Sequence, residues 1–193
     1  MIPLWLKLAY TLYVAIIVAV YAVKYSSSNF LWFSDIALLA AVPALWFESP
    51  FLASMVAVGI LLPDLLWNLS FFGQLVTGKR ISGLADYMFD ARRPLYLRAL
   101  SLFHVILPPL LVWMVARLGY EPEAWIAQTA LAWVVLPLCY WLTDPELNVN
   151  WVFRFGNKPQ KIMPPLAYLG LLMFGFPVLI YLPTHFLLRS LFG

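Results

Sequence analysis

Five side chains capable of acid–base or nucleophilic chemistry lie in long apolar stretches of the chain. They are Ser34, Asp35, Asp64, Ser101 and His104. Polar groups in such stretches are candidates for function, because burying them in hydrocarbon is costly. A hydroxyl, a histidine and a carboxylate suit nucleophilic acyl chemistry, in which the histidine takes the hydroxyl proton and the carboxylate, here Asp64 or Asp35, orients the imidazole. We therefore predict catalytic roles for Ser34, Asp64 and His104.

The same residues allow two other interpretations. Asp35, Asp64 and His104 could hold one divalent ion that activates water, although one histidine and two carboxylates suit Mg, Mn or Zn only loosely. Alternatively, each polar group only satisfies another across the helices, as buried polar groups generally must. We predict no cofactor, and the divalent metal is the lesser alternative.

Residues near these candidates are predicted to bind the substrate. Asn68 follows Asp64 by four residues and Ser101 precedes His104 by three, so each pair shares one helical face. Asp35 adjoins the predicted nucleophile. The loop 144–152 adds four residues that would either clamp a polar headgroup or form an interfacial turn: Asp144, Asn148, Asn150 and Trp151.

The elements that must position these residues are membrane helices. Of the 193 residues, 64% are hydrophobic and 11% are charged, and the mean hydropathy is +0.86. A soluble domain carries about 25% charged residues, so this composition predicts an integral membrane protein. Twelve basic residues against nine acidic ones leave a net charge of only +3, which argues against a nucleic-acid partner. The partners we expect are membrane lipids.

Six apolar segments approach the roughly 20 residues that a helix needs to cross a bilayer. They cover residues 2–23, 30–47, 51–72, 95–118, 124–142 and 163–188. Lipid offers no partners to backbone amides, so each segment should be helical. The sequence shows neither an internal repeat nor a second domain. We predict an all-α, polytopic transmembrane bundle of six helices, forming one domain over residues 1–193.

Basic residues predict the orientation of the bundle. Six spans put both termini on one face with Lys7, Arg117 and Arg189. The other face collects nine basic residues: Lys24, Lys79, Arg80, Arg92, Arg93, Arg98, Arg154, Lys158 and Lys161. The positive-inside rule then predicts that both termini face away from the cytoplasm.

The predicted polar residues fall in one leaflet. At about 1.5 Å per residue, Ser34, Asp64 and His104 all lie within about 14 Å of the cytoplasmic surface. Pro108 cannot donate to the carbonyl of His104, so we expect a kink at Pro108 that frees this carbonyl. Together these features predict a wet, cytoplasm-facing pocket in which Asn68 or backbone groups near the Pro108 kink donate hydrogen bonds to an oxyanion.

Two stretches resemble a known family. They are FLWFSDIAL at residues 30–38 and SLFHVILPPLL at residues 101–111, and both are similar to stretches of the androgen-induced/ADTRP-type membrane proteins. The resemblance implies a six-helix intramembrane hydrolase of fatty-acid esters of hydroxy fatty acids, with a threonine nucleophile in the second span and a histidine in the fourth. The matching positions here are Ser34, a serine in place of threonine, and His104.

The layout is also similar to the transmembrane-164/YwaF group of acyl-handling proteins and to an uncharacterised group of bacterial membrane proteins. We therefore expect a lipid hydrolase or acyltransferase of the bacterial inner membrane that acts on an acyl ester from the cytoplasmic leaflet. The alternative is a non-enzymatic lipid- or quinone-binding membrane protein or a small transporter.

Overall fold

Six helices follow the predicted spans in the computed structural model, which describes residues 1–156 and 160–193. The helices are α1 (Leu4–Lys24), α2 (Phe33–Trp46), α3 (Pro50–Thr77), α4 (Leu95–Leu118), α5 (Ala124–Leu142) and α6 (Pro165–Phe192). Within the described ranges there is no strand. The predicted all-α architecture of six helices is confirmed. Lys158, counted above among the basic residues, lies outside the described residues.

Helix α2 is shorter than the other five, each of which is long and apolar enough to cross a membrane. Those five helices make the chain an integral membrane protein. With 14 residues, α2 spans about 21 Å of the roughly 30 Å hydrocarbon core. The residues before it, Ser27–Leu31, form a 3₁₀ turn instead of the predicted start of the helix. The first turn of α2 carries Ser34 and Asp35, and no side chain of its own caps it. A contact from outside α2 must therefore hold this turn in place.

Helix α4 is interrupted immediately before His104. Residues 101 and 102 form a turn between the helical segments Leu95–Leu100 and Phe103–Leu118. The His104 amide therefore bonds to the Ser101 carbonyl, only three residues back, at 3.3 Å. The structure puts the interruption ahead of the predicted position, and Pro108 lies inside the continuous second segment.

Helix α3 is the central element, and it packs against α2, α4, α5 and α6. Alanines at its interface with α2 are fully buried: Ala41, Ala44, Ala53 and Ala57. Small side chains let helix backbones approach closely, which suits packing in a membrane where lipid tails are as apolar as leucine. The contacts of α3 with α2 and α4 bring Ser34, Asp64 and His104 to the same end of the bundle. We call this the basic end, since Arg80, Arg93 and Arg154, from the loops that follow α3 and α5, lie there.

Candidate functional site

A cavity of about 820 Å³ opens at the basic end of the bundle. Its volume lies within the about 300–1,000 Å³ that is usual for small-molecule sites. Its lining includes eight of the ten predicted site residues: Ser34, Asp35, Asp64, Ser101, His104, Asn148, Asn150 and Trp151. The other two, Asn68 and Asp144, do not line it.

A carboxylate–imidazole pair lies in the wall of this cavity. Asp64 Oδ1 is 3.0 Å from His104 Nδ1, and Asp64 is only 3% exposed. With the Nδ1 proton donated to an ionised carboxylate, the lone pair of the imidazole is at Nε2. This arrangement makes Nε2 a proton acceptor. Of the two carboxylates that the sequence offers for orienting the imidazole, Asp64 is the one that makes this contact.

Aromatic rings fix the plane of the His104 imidazole. Its ring centroid lies 4.6 Å from that of Trp67 and 4.1 Å from that of Phe103, with interplanar angles of 21° and 26°. Stacking on aromatic faces favours a cationic ring, so this setting supports the imidazolium that forms when His104 takes a proton. The sequence analysis assigned no role to Trp67, although it lies one helical turn after Asp64 on α3.

Asn68 joins α3 to α4 beside the pair. Its Nδ2 donates to the carbonyl of Asp64 at 2.8 Å and to the carbonyl of His104 at 2.7 Å. The His104 carbonyl is the one that Pro108 leaves without a helical donor, as expected. Both amide hydrogens of Asn68 are therefore engaged with backbone, and this residue acts in positioning His104.

Ser34 and Asp35 enter the cavity from the first turn of α2. Ser34 is half-buried, and within the described ranges its hydroxyl makes no hydrogen bond, including none to His104. Asp35 is 6% exposed and accepts one hydrogen bond, from Asn29 Nδ2 at 3.5 Å. The predicted nucleophile and base thus line one cavity without a hydrogen bond between them.

Ser101 is held by the first helix. Its hydroxyl lies 3.1 Å from the hydroxyl of Tyr21 and donates to the carbonyl of Leu97 at 3.3 Å. Tyr21, like Trp67, lines the cavity and was not singled out from the sequence. A tyrosine in the long apolar run of α1 carries no pattern that separates it from an interfacial residue.

The loop after α5 holds the first turn of α2 through Asn150. The Oδ1 atom of Asn150 accepts from the Phe33 amide at 3.1 Å, and its Nδ2 donates to the Leu31 carbonyl at 2.7 Å. Asn150 is 3% exposed and has a positive φ of 50°, which asparagine tolerates better than most residues. Its amide serves as the N-terminal cap that α2 lacks in its own sequence.

The remaining residues of this loop act mainly within it. Asn148 Oδ1 accepts from the amides of Phe153 and Arg154, and its Nδ2 donates to the Arg154 carbonyl. Asp144 accepts from the Glu146 amide at 2.8 Å. Trp151 packs edge-to-face on Trp32, with centroids 6.4 Å apart. We predicted that this segment either clamps a polar headgroup or forms an interfacial turn. These contacts are those of a turn.

Three arginines line the cavity, and all three are among the basic residues that predict the topology. Arg80 pairs with Asp86 at 2.7 Å, and Arg154 lies 3.6 Å from Glu146. Arg93 lies over the Tyr87 ring at 5.5 Å and has no ion pair within the described ranges. Sequence spacing alone does not reveal that residues 80, 93 and 154 converge, because two separate loops supply them.

The positive charge of Arg92, the neighbour of Arg93, is neutralised by Asp90. Arg92 donates two side-chain hydrogen bonds to the Asp90 carboxylate, at 2.9 and 3.0 Å. These contacts lower the pKa of Asp90 to about 2, so the pair is ionised throughout the physiological range. Arg93 therefore supplies the uncompensated positive charge at this edge of the cavity.

Within the described ranges, no group of three or more histidine, cysteine, aspartate or glutamate side chains is arranged to hold a metal ion. The set Asp35, Asp64 and His104 lines one cavity without forming such a cluster. The other histidine, His185, lies outside this cavity and bonds through Nδ1 to the Tyr120 hydroxyl at 2.7 Å.

No protein family, characterised protein or solved structure matches this chain. The argument for function therefore rests on the cavity and its side chains.

Proposed function

We propose that the protein is a membrane lipid hydrolase or acyltransferase in which the Asp64–His104 pair acts as the general base. The observation that carries this proposal is the 3.0 Å contact between the buried carboxylate and Nδ1, in the wall of a cavity that also contains a hydroxyl. Asp64 orients the imidazole and stabilises its protonated form, and Nε2 takes the proton of the nucleophile.

Ser34 is the proposed nucleophile. As its Oγ bonds to the ester carbonyl carbon, its proton passes to Nε2 of His104. The bond from that carbon to the alcohol oxygen then breaks, and the leaving oxygen takes the proton from Nε2. Water or an acceptor hydroxyl next gives its proton to Nε2 and attacks the acyl carbon. The bond from that carbon to Ser34 Oγ then breaks, and Oγ takes the proton from Nε2, which restores both residues. The missing hydrogen bond between Ser34 and His104 is compatible with a site without substrate, since catalytic hydrogen bonds are often long until the substrate binds.

The substrate we propose is an amphiphile with an anionic headgroup. Three guanidinium groups line the cavity, and arginine binds phosphate or carboxylate through paired donors. The positive-inside rule supports a cytoplasmic position for the basic end, with both termini outside, as in a bacterial inner-membrane protein. The lipid would then enter from the inner leaflet.

Arg93→Gln is expected to raise KM for a phosphate-bearing lipid ester about fivefold to tenfold and to leave kcat unchanged. A charge that binds the headgroup equally in the ground and transition states contributes to KM alone. Steady-state kinetics in nanodiscs at two salt concentrations measures the effect, which salt should weaken. Arg189→Gln, which removes an exposed arginine at the opposite end of the bundle, is the matched control. Equal KM values in both variants would contradict the headgroup assignment.

A second candidate is a lipid- or quinone-binding protein or small transporter without catalysis. The missing hydrogen bond between Ser34 and His104 favours it, since a binding site needs no nucleophile within reach of a base. In that case Asp64 and His104 only satisfy each other.

Labelling with a lipid-like fluorophosphonate distinguishes the two candidates. We expect the purified wild-type protein to be labelled, Ser34→Ala to lose the label, and Ser101→Ala, a second cavity hydroxyl, to retain it. Label in Ser34→Ala at the wild-type level would refute the serine assignment. Unlabelled wild-type protein that hydrolyses no lipid ester would overturn the enzyme proposal in favour of binding.

A further inference from the structure

A second, smaller cavity lies between α2, α3 and α5. Its volume is about 180 Å³, and its lining is apolar apart from one glutamine: Phe33, Ile36, Ala37, Ala40, Met55, Val56, Ile60, Gln128 and Leu131. Two alanines of α2 leave the space that larger side chains would fill. Apolar cavities of this size stay dry and accept apolar ligands, as a cavity of about 150 Å³ accepts benzene.

The two cavities share a wall. Phe33 and Ile60 line both of them. Phe33 directly precedes the proposed nucleophile, Ser34, and Ile60 lies one helical turn before Asp64 on α3. An apolar chain that passes Phe33 and Ile60 therefore starts beside the groups proposed to act on an ester carbonyl.

Gln128 is the polar side chain in the lining, and its carboxamide packs against the backbone of α3 at Gly59, which has no side chain. A Cβ atom added to Gly59 would lie 2.6 Å from Gln128 Nε2 and 2.7 Å from its Cδ. The carboxamide thus rests on α3 where a side chain would collide with it. The rest of the lining consists of hydrocarbon and one thioether, which offers an anionic headgroup nothing to bind.

We propose that the smaller cavity is an acyl-chain pocket, which receives the hydrocarbon chain of the substrate while its ester group stays in the larger cavity. The inference rests on the proposed function and names the substrate as a fatty-acyl ester. By comparison with the benzene-sized cavity, the pocket holds about six chain carbons. Chains longer than that must extend past it, whereas short chains leave it partly empty.

Photo-crosslinking tests the pocket without requiring turnover. The probe is palmitic acid with a diazirine at its ω end or near its carboxyl end, added to the full chain in nanodiscs. Since the first carbons of the chain occupy the pocket, we expect the probe with its diazirine near the carboxyl end to crosslink to Met55 or Leu131, and Ala40→Phe to lower that yield about tenfold. Ala130→Phe, on an exposed position of α5, is the matched control and should crosslink as the wild type does. Crosslinks confined to lipid-facing residues, or unchanged by Ala40→Phe, would overturn the inference.

Chain-length preference provides the second test and separates the two proposals. On palmitoyl relative to butyryl esters, Ala40→Phe should lower kcat/KM about tenfold, whereas Met55→Ala, which enlarges the cavity, should shift preference towards longer chains. Turnover with an unchanged preference in both variants would refute the pocket and leave the hydrolase proposal standing. Crosslinking in the pocket without turnover would refute the enzyme and leave the lipid site standing. Because the Met55→Ala effect has the opposite sign, it keeps the test decisive if Ala40→Phe fails to fold.

Discussion

Asp64→Asn is expected to lower lipid-ester turnover about 10³- to 10⁴-fold while the protein stays folded. An asparagine can present its Nδ2–H group to His104 Nδ1, which would force the imidazole proton onto Nε2. The ring would then have no lone pair with which to take a proton from the nucleophile. Single-turnover hydrolysis of a lipid ester in nanodiscs measures the loss, and gel filtration checks the fold.

Further variants show whether the loss of turnover in Asp64→Asn comes from the Asp64–His104 pair. His104→Ala should lose as much activity as Asp64→Asn, and the double variant no more than either, because the two residues act as a unit. Asp35→Asn is the matched control, as it removes a second buried carboxylate of the same cavity that does not bond to His104. Activity of Asp64→Asn within about tenfold of the wild type would contradict the base assignment. Equal losses in Asp35→Asn and Asp64→Asn would instead favour the metal alternative.

The helical architecture and the contact between Asp64 and His104 could be predicted from the sequence. A long apolar segment must form a helix in the membrane, because the bilayer offers its backbone amides and carbonyls no partner outside the segment. The depth of a side chain in the bilayer then follows from the number of residues between it and the end of its span. This count predicts that Asp64 and His104 lie in the same leaflet. Proline chemistry also predicted the free carbonyl of His104, which Asn68 satisfies.

Other features could not be predicted, because they depend on contacts between distant segments. The short α2 looks like a full span in a hydropathy profile, since Phe30 and Leu31 are apolar even though they belong to a 3₁₀ turn. The convergence of Arg80, Arg93 and Arg154 requires two loops to fold over one cavity. Similarly, the apolar pocket exists because Ala37 and Ala40 face α3 and α5 together, and alanine alone predicts no particular neighbour.

The capping role of Asn150 was not predicted from the sequence, and it leads to a prediction about stability. We expect Asn150→Leu to lower the free energy of unfolding by about 3–5 kcal/mol, at the upper end for one substitution. Leucine leaves the Phe33 amide without a partner and leaves the Leu31 carbonyl only the weak thiol donor of Cys139 at 4.0 Å. Since a buried unpaired group costs about 1–3 kcal/mol, the two losses together cost about 2–3 kcal/mol. The positive φ of this position adds roughly 1–2 kcal/mol for a residue other than glycine or asparagine.

Thermal unfolding in one detergent, followed by far-UV circular dichroism, measures this change as a fall in Tm of about 10 °C. Asn150→Gly separates the two causes, because glycine accepts the positive φ but removes both hydrogen bonds. Its Tm should lie between those of Asn150→Leu and the wild type. A Tm for Asn150→Leu within roughly 2 °C of the wild type would refute the capping role. Because the cap holds the turn that carries Ser34, Asn150→Gly should also slow fluorophosphonate labelling at temperatures where the protein remains folded, which links the stability of α2 to the proposed nucleophile.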